Sequence, residues 1–115
     1  MEARQSVVLA EKGSSATLEC DSPQLRSFDS RGIWKFKGVE IEENTNKKTT
    51  SNYTTKKVYL HIANVSESDF GTYACFLQIR GGNRHYQKFK QHTELKLLEK
   101  SGEFHLLLFL LYRLH

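Results

Sequence analysis

The segment LHIANVSESDFGTYAC, residues Leu60–Cys75, decides how this 115-residue chain folds. Apolar residues alternate with polar ones over residues 58–62, which is the period of a β-strand that buries one face. A polar turn follows at residues 64–69, and the alternation resumes at Tyr73 and Cys75. The segment therefore predicts two strands separated by a short polar turn.

The second half of the segment carries a compact motif. Asp69, Gly71, Tyr73 and Cys75 form a D-x-G-x-Y-x-C signature, in which the glycine permits a tight corner. Preceded by L-x-I-x-x-V, this signature resembles the immunoglobulin superfamily over about residues 6–98. The resemblance implies an all-β fold, a two-sheet antiparallel Greek-key sandwich. It also implies that the Tyr73 hydroxyl turns back onto upstream backbone.

The chain has two cysteines, Cys20 and Cys75, and no C-x-x-C pair of the zinc-ribbon or thioredoxin type. By their separation alone, they could be free thiols in a cytosolic core. The resemblance implies instead an inter-sheet disulfide with Trp34 packed against it. In the chain-entropy model such a bridge stabilises by about 4 kcal/mol, and it implies an oxidising compartment. The expected core residues are Trp34, Tyr73, Leu18, Leu60 and Ile62.

Alternation and turn residues divide the rest of the chain. Further strands are expected at residues 6–10, 16–20, 32–38, 39–42 and 85–98. Residues 43–56 are rich in Asn, Thr and Lys and predict an exposed edge or loop. The short spacing from Trp34 to Cys75 leaves little room for the additional strand of antibody variable domains. The resemblance is therefore to the intermediate (I-set) or a shortened variable (V-set) type.

The immunoglobulin-like domain is expected to occupy residues 1–99, followed by an apolar C-terminal extension at 100–115. The extension contains six consecutive apolar residues, Leu106–Leu111, too few for a transmembrane helix. Three interpretations stay open. The extension is expression-derived or splice-derived, it docks on the sandwich or on a second copy, or it anchors the chain at a membrane surface.

Charge and motif content argue against an enzyme. The chain has 17 basic and 13 acidic residues, a modest excess that suits acidic partners but does not indicate nucleic acid. Its five histidines lack metal-ligand spacing, and no G-x-S-x-G or phosphate-binding glycine loop occurs. We expect a non-enzymatic protein without a metal or a cofactor.

Two sequons, beginning at Asn52 and Asn64, fall in segments expected at the surface, where N-glycosylation requires them. The tripeptide often arises by chance, so occupancy of each is left open. With the disulfide, they favour an extracellular ectodomain of a membrane protein. Met1 is followed by polar residues, so we expect a segment whose leader and anchor are not in this chain.

Members of this family often bind partners through the sheet formed by their C, F and G strands. Those strands correspond here to residues 32–38, the strand through Cys75, and residues 85–98. Alternation places Ile33 and Phe76 on the exposed face of this sheet, with Tyr86 joining them. An aromatic residue flanked by basic side chains has hot-spot composition. The predicted partner-binding residues are Ile33, Lys35, Phe76, Arg80, Arg84 and Tyr86. Alternatively, the extension or a neighbouring domain covers them.

The sequence therefore predicts an extracellular module of a cell-surface adhesion or immune receptor. It would bind a protein partner through the C–F–G face and the F–G loop. Basic residues around that loop also suit an acidic glycan, although such clusters are more often solvated surface. The alternatives are a structural spacer domain, a glycosaminoglycan-binding module, and a homodimer formed through the C–F–G face or the C-terminal extension.

Overall fold

The computed structural model describes residues 4–98, with side chains from Ser6 onward, and the C-terminal extension at 100–115 lies outside the described residues. The described chain is all-β apart from one 3₁₀ turn at Glu67–Asp69. Its strands are Arg4–Ala10 (β1), Ala16–Asp21 (β2), Ser30–Phe36 (β3), Val39–Glu40 (β4), Lys47–Asn52 (β5), Lys57–Ile62 (β6), Gly71–Gly81 (β7) and Arg84–Leu97 (β8).

The strands form two facing sheets, in the orders β1-β8-β7-β3-β4 and β2-β6-β5. The predicted two-sheet sandwich is thereby confirmed. One pairing departs from the antiparallel prediction, because β1 runs parallel to β8 with Arg4 opposite Gln91. Alternation shows which face of a strand is buried but not its direction, so the sequence held no signal for this pairing. The predicted edge at 43–56 contains β5, an edge strand of the smaller sheet.

The inter-sheet disulfide is present. Cys20 of β2 and Cys75 of β7 are bonded, and both are fully buried. Trp34 is 1% exposed and lies opposite Cys75 in the β3–β7 register. Its Nε1 finds no acceptor among the described residues. Leu18, Leu60 and Ile62 enter the same core from the smaller sheet.

The corner before β7 is built from the D-x-G-x-Y-x-C motif. The Tyr73 hydroxyl donates to the backbone carbonyl of Asp69 at 2.6 Å, so the predicted tyrosine corner is observed. Burial raises the pKa of the Tyr73 phenol. Gly71 has a φ of +142°, and the Phe36 ring lies 3.0 Å from where a Cβ would stand. The motif therefore needs glycine both for backbone conformation and for space.

Asp69 joins this corner to the edge strand β5. Its carboxylate is 2.8 Å from Lys47 Nζ and accepts a 2.8 Å hydrogen bond from the Ser66 backbone amide. Burial raises the pKa of the Asp69 carboxyl, but Lys47 and Ser66 outweigh burial and hold the pKa below its ordinary value. The charged carboxylate thus stabilises the folded state.

The Lys47–Asp69 pair should make folding sensitive to acid. A carboxyl whose pKa is lowered on folding stabilises above its unfolded-state pKa, and this contribution is lost as pH falls through the folded-state pKa. We expect Asp69→Asn to lower the free energy of unfolding at neutral pH by about 1.5–3 kcal/mol. Urea unfolding should show the gap between the two proteins narrowing as pH falls below about 4, the ordinary pKa range of a carboxyl group.

Glu67→Gln is the matched control for this substitution. Glu67 pairs with Lys12, but both side chains are largely exposed, so its loss should cost no more than about 1 kcal/mol. An equal loss of stability in both variants, or a constant gap between Asp69→Asn and the parent at all pH values, would contradict the assigned role.

Gly32 of β3 leaves no room for a side chain between the two sheets. A Cβ at this position would lie 2.2 Å from a methyl group of Val58, which is fully buried in β6. We expect Gly32→Ala to lower the free energy of unfolding by about 1–3 kcal/mol through overpacking. Gly81→Ala is the control, because the Cβ there would meet the exposed and movable Tyr86 ring. Val58→Ala should partly rescue Gly32→Ala, and additive losses in the double variant would refute the contact.

Candidate recognition face

The larger sheet turns one face to the core and one away from it. The face turned away, called the outer face below, follows from the strand registers and the burial alternation. Its central side chains are Arg31, Ile33 and Lys35 of β3, Ala74, Phe76, Gln78 and Arg80 of β7, and His85, Gln87, Phe89 and His92 of β8.

Aromatic rings occupy the middle of the outer face. Phe76 and Phe89 lie opposite each other in register, with ring centroids 5.6 Å apart in an edge-to-face arrangement. The His92 ring lies 4.6 Å from Phe89, and Lys35 Nζ lies 4.5 Å from the centroid of Phe76. Both phenylalanines are partly exposed. Rings held on a sheet beside a cation match the composition of binding hot spots.

Ile33 does not offer the exposed surface that was predicted for it. It is on the outer face, directly opposite Phe76, but it is only 3% exposed. The residues two positions away on the same face, Arg31 and Lys35, carry long side chains, and such stems cover apolar surface while their charged ends stay in water. A short aliphatic side chain in the middle of a sheet is shielded between such neighbours, so Ile33 offers a partner little surface.

Tyr86 also differs from its predicted place. It lies opposite Ile79, on the other side of the β7–β8 hairpin from Phe76, and its ring passes over Gly81. Arg84, opposite Gly81, shares that side. The cause is a β-bulge between Cys75 and Phe76 that reverses the alternation of β8.

The same bulge explains one outer-face residue that the sequence did not reveal, Phe89. Counting inward-facing positions back from Thr93 and Gln91 would turn Phe89 toward the core. The structure pairs Gln91 with Cys75 but Phe89 with Phe76, leaving Lys90 unmatched, so Phe89 and His92 share one face. No glycine marks this bulge in the sequence, so no local signal could have disclosed it.

Basic side chains dominate the loop end of the outer face. Arg31, Arg80 and His85 line a groove of about 290 Å³ together with Phe28, which is 74% exposed, and with Asp29, whose carboxylate is paired with Arg26. The Arg80 backbone amide donates to the Asp29 carbonyl at 2.8 Å, tying the hairpin to the β2–β3 loop. Within residues 4–98 the Arg80 side chain has no ion pair, whereas Arg31 is 3.9 Å from Glu40. This end therefore suits an acidic group.

The sequons are on the other side of the molecule. Asn52 ends β5 in the smaller sheet, and Asn64 follows β6. Both side chains are exposed.

Residues 4–98 contain no group of three or more His, Cys, Asp or Glu side chains placed to hold a metal ion. No helix within these residues is long and apolar enough to cross a bilayer.

Solved structures with a similar fold include the following three. The twitchin kinase region from C. elegans is 16% identical with a TM-score of 0.60, covering 84% of this chain and 15% of that one. Tim-4 in complex with phosphatidylserine is 17% identical with a TM-score of 0.60, covering 80% and 97%. Dpr2 Ig1-Ig2 in complex with DIP-Theta Ig1-Ig3 is 20% identical with a TM-score of 0.58, covering 80% and 30%. The chain thus spans less than a third of the twitchin and Dpr2 chains.

A comparison with curated proteins found no match. A family model described as the immunoglobulin domain matches residues 6–87, most of the chain. Together with the two sheets and the bridge between Cys20 and Cys75, this match shows that the chain belongs to the immunoglobulin domain family.

Proposed function

We propose that this chain is an extracellular protein-recognition domain of a cell-surface adhesion or immune receptor, and that it binds its partner through the outer face. The observation that carries the proposal is the partly exposed pair Phe76–Phe89 with Lys35 over the first ring. These rings are outside the core that holds the sheets together. A partner would bury them.

The geometry of the outer face suits binding without rearrangement. The rings project from paired strands rather than from a mobile loop, so little conformational freedom is lost on association. Arg31, Lys35 and Arg80 surround the rings with positive charge, and Glu40 offsets only part of it. Complementary charge at a rim chiefly speeds encounter and sets specificity. The partner should therefore present an apolar centre with acidic surroundings.

Similar structures support a protein partner. The Dpr2 structure holds immunoglobulin domains in complex with those of DIP-Theta, so such domains bind proteins. Tim-4 is in complex with phosphatidylserine, which makes a lipid headgroup the contrasting ligand class. The disulfide supports an extracellular location, because such bridges persist in oxidising compartments.

A sulfated glycan is less well supported than a protein. The basic residues of the β7–β8 hairpin are divided between its two sides, with Arg80 and His85 on one and Arg84 on the other. The ammonium group of Lys90 is engaged elsewhere, because Lys90 Nζ donates a 2.8 Å hydrogen bond to Gln24 Oε1. The hairpin therefore lacks the continuous basic stripe that would follow a sulfated chain.

The decisive experiment is an unbiased screen of the full chain against cell-surface ectodomains, followed by titration of the partner found. Phe76→Ala should weaken binding by about 2 kcal/mol or more, the size of a hot-spot effect. Tyr86→Ala is the matched control, because Tyr86 is 54% exposed but lies on the other side of the hairpin. The Tyr86→Ala variant should bind the partner with the affinity of the parent chain. Circular dichroism should show that both variants are folded.

Other outcomes would select other functions. Equal losses in both variants would reject the outer face as the binding surface. The absence of any partner would indicate a spacer domain. Retention on heparin with release at moderate salt would indicate a glycosaminoglycan-binding module. Light scattering that shows dimers abolished by Phe76→Ala would identify a second copy of the chain as the partner.

A further inference from the structure

The side chain of Asn52 is arranged in a way that suits N-glycosylation. Its Oδ1 accepts hydrogen bonds from the backbone amides of Thr54 and Thr55, each at 3.0 Å. This turn engages the oxygen and leaves Nδ2, the atom that carries a glycan, without a hydrogen bond among the described residues. Attaching a sugar at Nδ2 would therefore break no contact of the folded domain.

Asn52 also points away from the rest of the sandwich. Exposed and half-buried residues alternate along β5, and Asn52 is exposed together with Lys48 and Thr50. Thr50 Oγ1 lies 2.9 Å from Nε2 of the half-buried His61, whose side chain points away from the core, which marks this side as the solvent face of the smaller sheet. A glycan at Asn52 would leave from the face opposite to the outer face.

Asn64 presents its side chain at the other end of the same sheet. It follows β6 by two residues, whereas Asn52 pairs with Lys57 at the first residue of β6. Asn64 has a φ of +52°, a left-handed conformation that asparagine tolerates better than most residues. Its exposed side chain makes no hydrogen bond within residues 4–98. The two sequons thus stand at opposite ends of β6.

The solvent face of the smaller sheet carries the stacked rings of Tyr59 and His61, whose centroids are 6.0 Å apart, and its polar side chains pair with one another. Lys57 Nζ is 2.8 Å from Glu19 and 3.7 Å from Asp21, so charges on this face neutralise one another. His61 is held between Thr17 and Thr50. Such a surface loses little by being covered with a hydrophilic oligosaccharide.

We propose that this chain carries N-linked glycans at Asn52 and Asn64, and that they shield the smaller sheet and leave the outer face open to protein partners. The inference rests on the extracellular location in the proposed function. In the secretory pathway each glycan is joined to Nδ2 of the asparagine in an Asn-x-Ser/Thr tripeptide, and both tripeptides are present here. The tripeptide motif does not say which face of the sandwich a glycan leaves from. That both glycans would leave from the smaller sheet follows from the positions of Asn52 at the end of β5 and Asn64 after β6.

The test is expression of the full chain behind a secretory leader in a eukaryotic host. Intact mass should fall by two glycans after enzymatic release, and peptide mapping should find aspartate at positions 52 and 64. Asn52→Asp and Asn64→Asp should each remove one glycan. Aspartate keeps an acceptor oxygen for Thr54 and Thr55 and tolerates left-handed φ, so both variants should stay folded. A chain that shows no mass loss, or loss at one site only, would overturn the inference.

A separate measurement tests whether the glycans cover the smaller sheet and leave the outer face open. Amine acylation of Lys57, which lies opposite Asn52, should be slower in the glycosylated chain than after glycan release. Acylation of Lys35 on the outer face should be unchanged and serves as the matched control. Equal protection of both lysines would reject the shielding. If both sequons are occupied but Phe76→Ala leaves binding unchanged, the proposed function fails while the glycan sites stand.

Discussion

The bond between Cys20 and Cys75 fixes how every neighbouring side chain is directed. It pins one residue of β2 and one of β7 to the interior. Because side chains alternate along a strand, the residues at even numbers near Cys75 must then face away from the core. Trp34, opposite Cys75, extends the same constraint to β3. The position of Phe76 on the surface is therefore a consequence of the position of Cys75 in the core.

The bulge in β8 interrupts the alternation of inward-facing and outward-facing side chains at one position of that strand. Lys90 is the unmatched residue, and its Nζ is bound to Gln24 in the β2–β3 loop. Burial and the nearby Lys88 lower the pKa of the Lys90 ammonium. By adding one residue, the bulge turns Phe89 outward to meet Phe76 and turns Tyr86 away from it. Bulges often redirect side chains at functional sites, and this one completes the aromatic centre of the outer face.

The parts of the fold that the sequence predicted are those imposed by burial. Leu18, Leu60 and Tyr73 could be assigned because a slip of one residue would expose an entire apolar row. The parallel direction of β1, the bulge at Lys90 and the low exposure of Ile33 depend on neighbours far away in the chain. Alternation within one strand carries no information about such neighbours. The candidate site was therefore predicted at its centre, Phe76 and Lys35, but not at its limits.

Side chains on the two solvent-facing sides of the sandwich differ in how fully they interact within the domain. The proposed function depends on this difference. On the smaller sheet, Lys57 and His61 find partners within the domain. On the outer face, Phe76 and Phe89 contact each other yet keep part of their surface in water. Apolar surface left in water forgoes about 25 cal/mol per Å² of the stabilisation that burial would give. The proposed partner-binding role depends on these two rings, which are outside the core that joins the sheets.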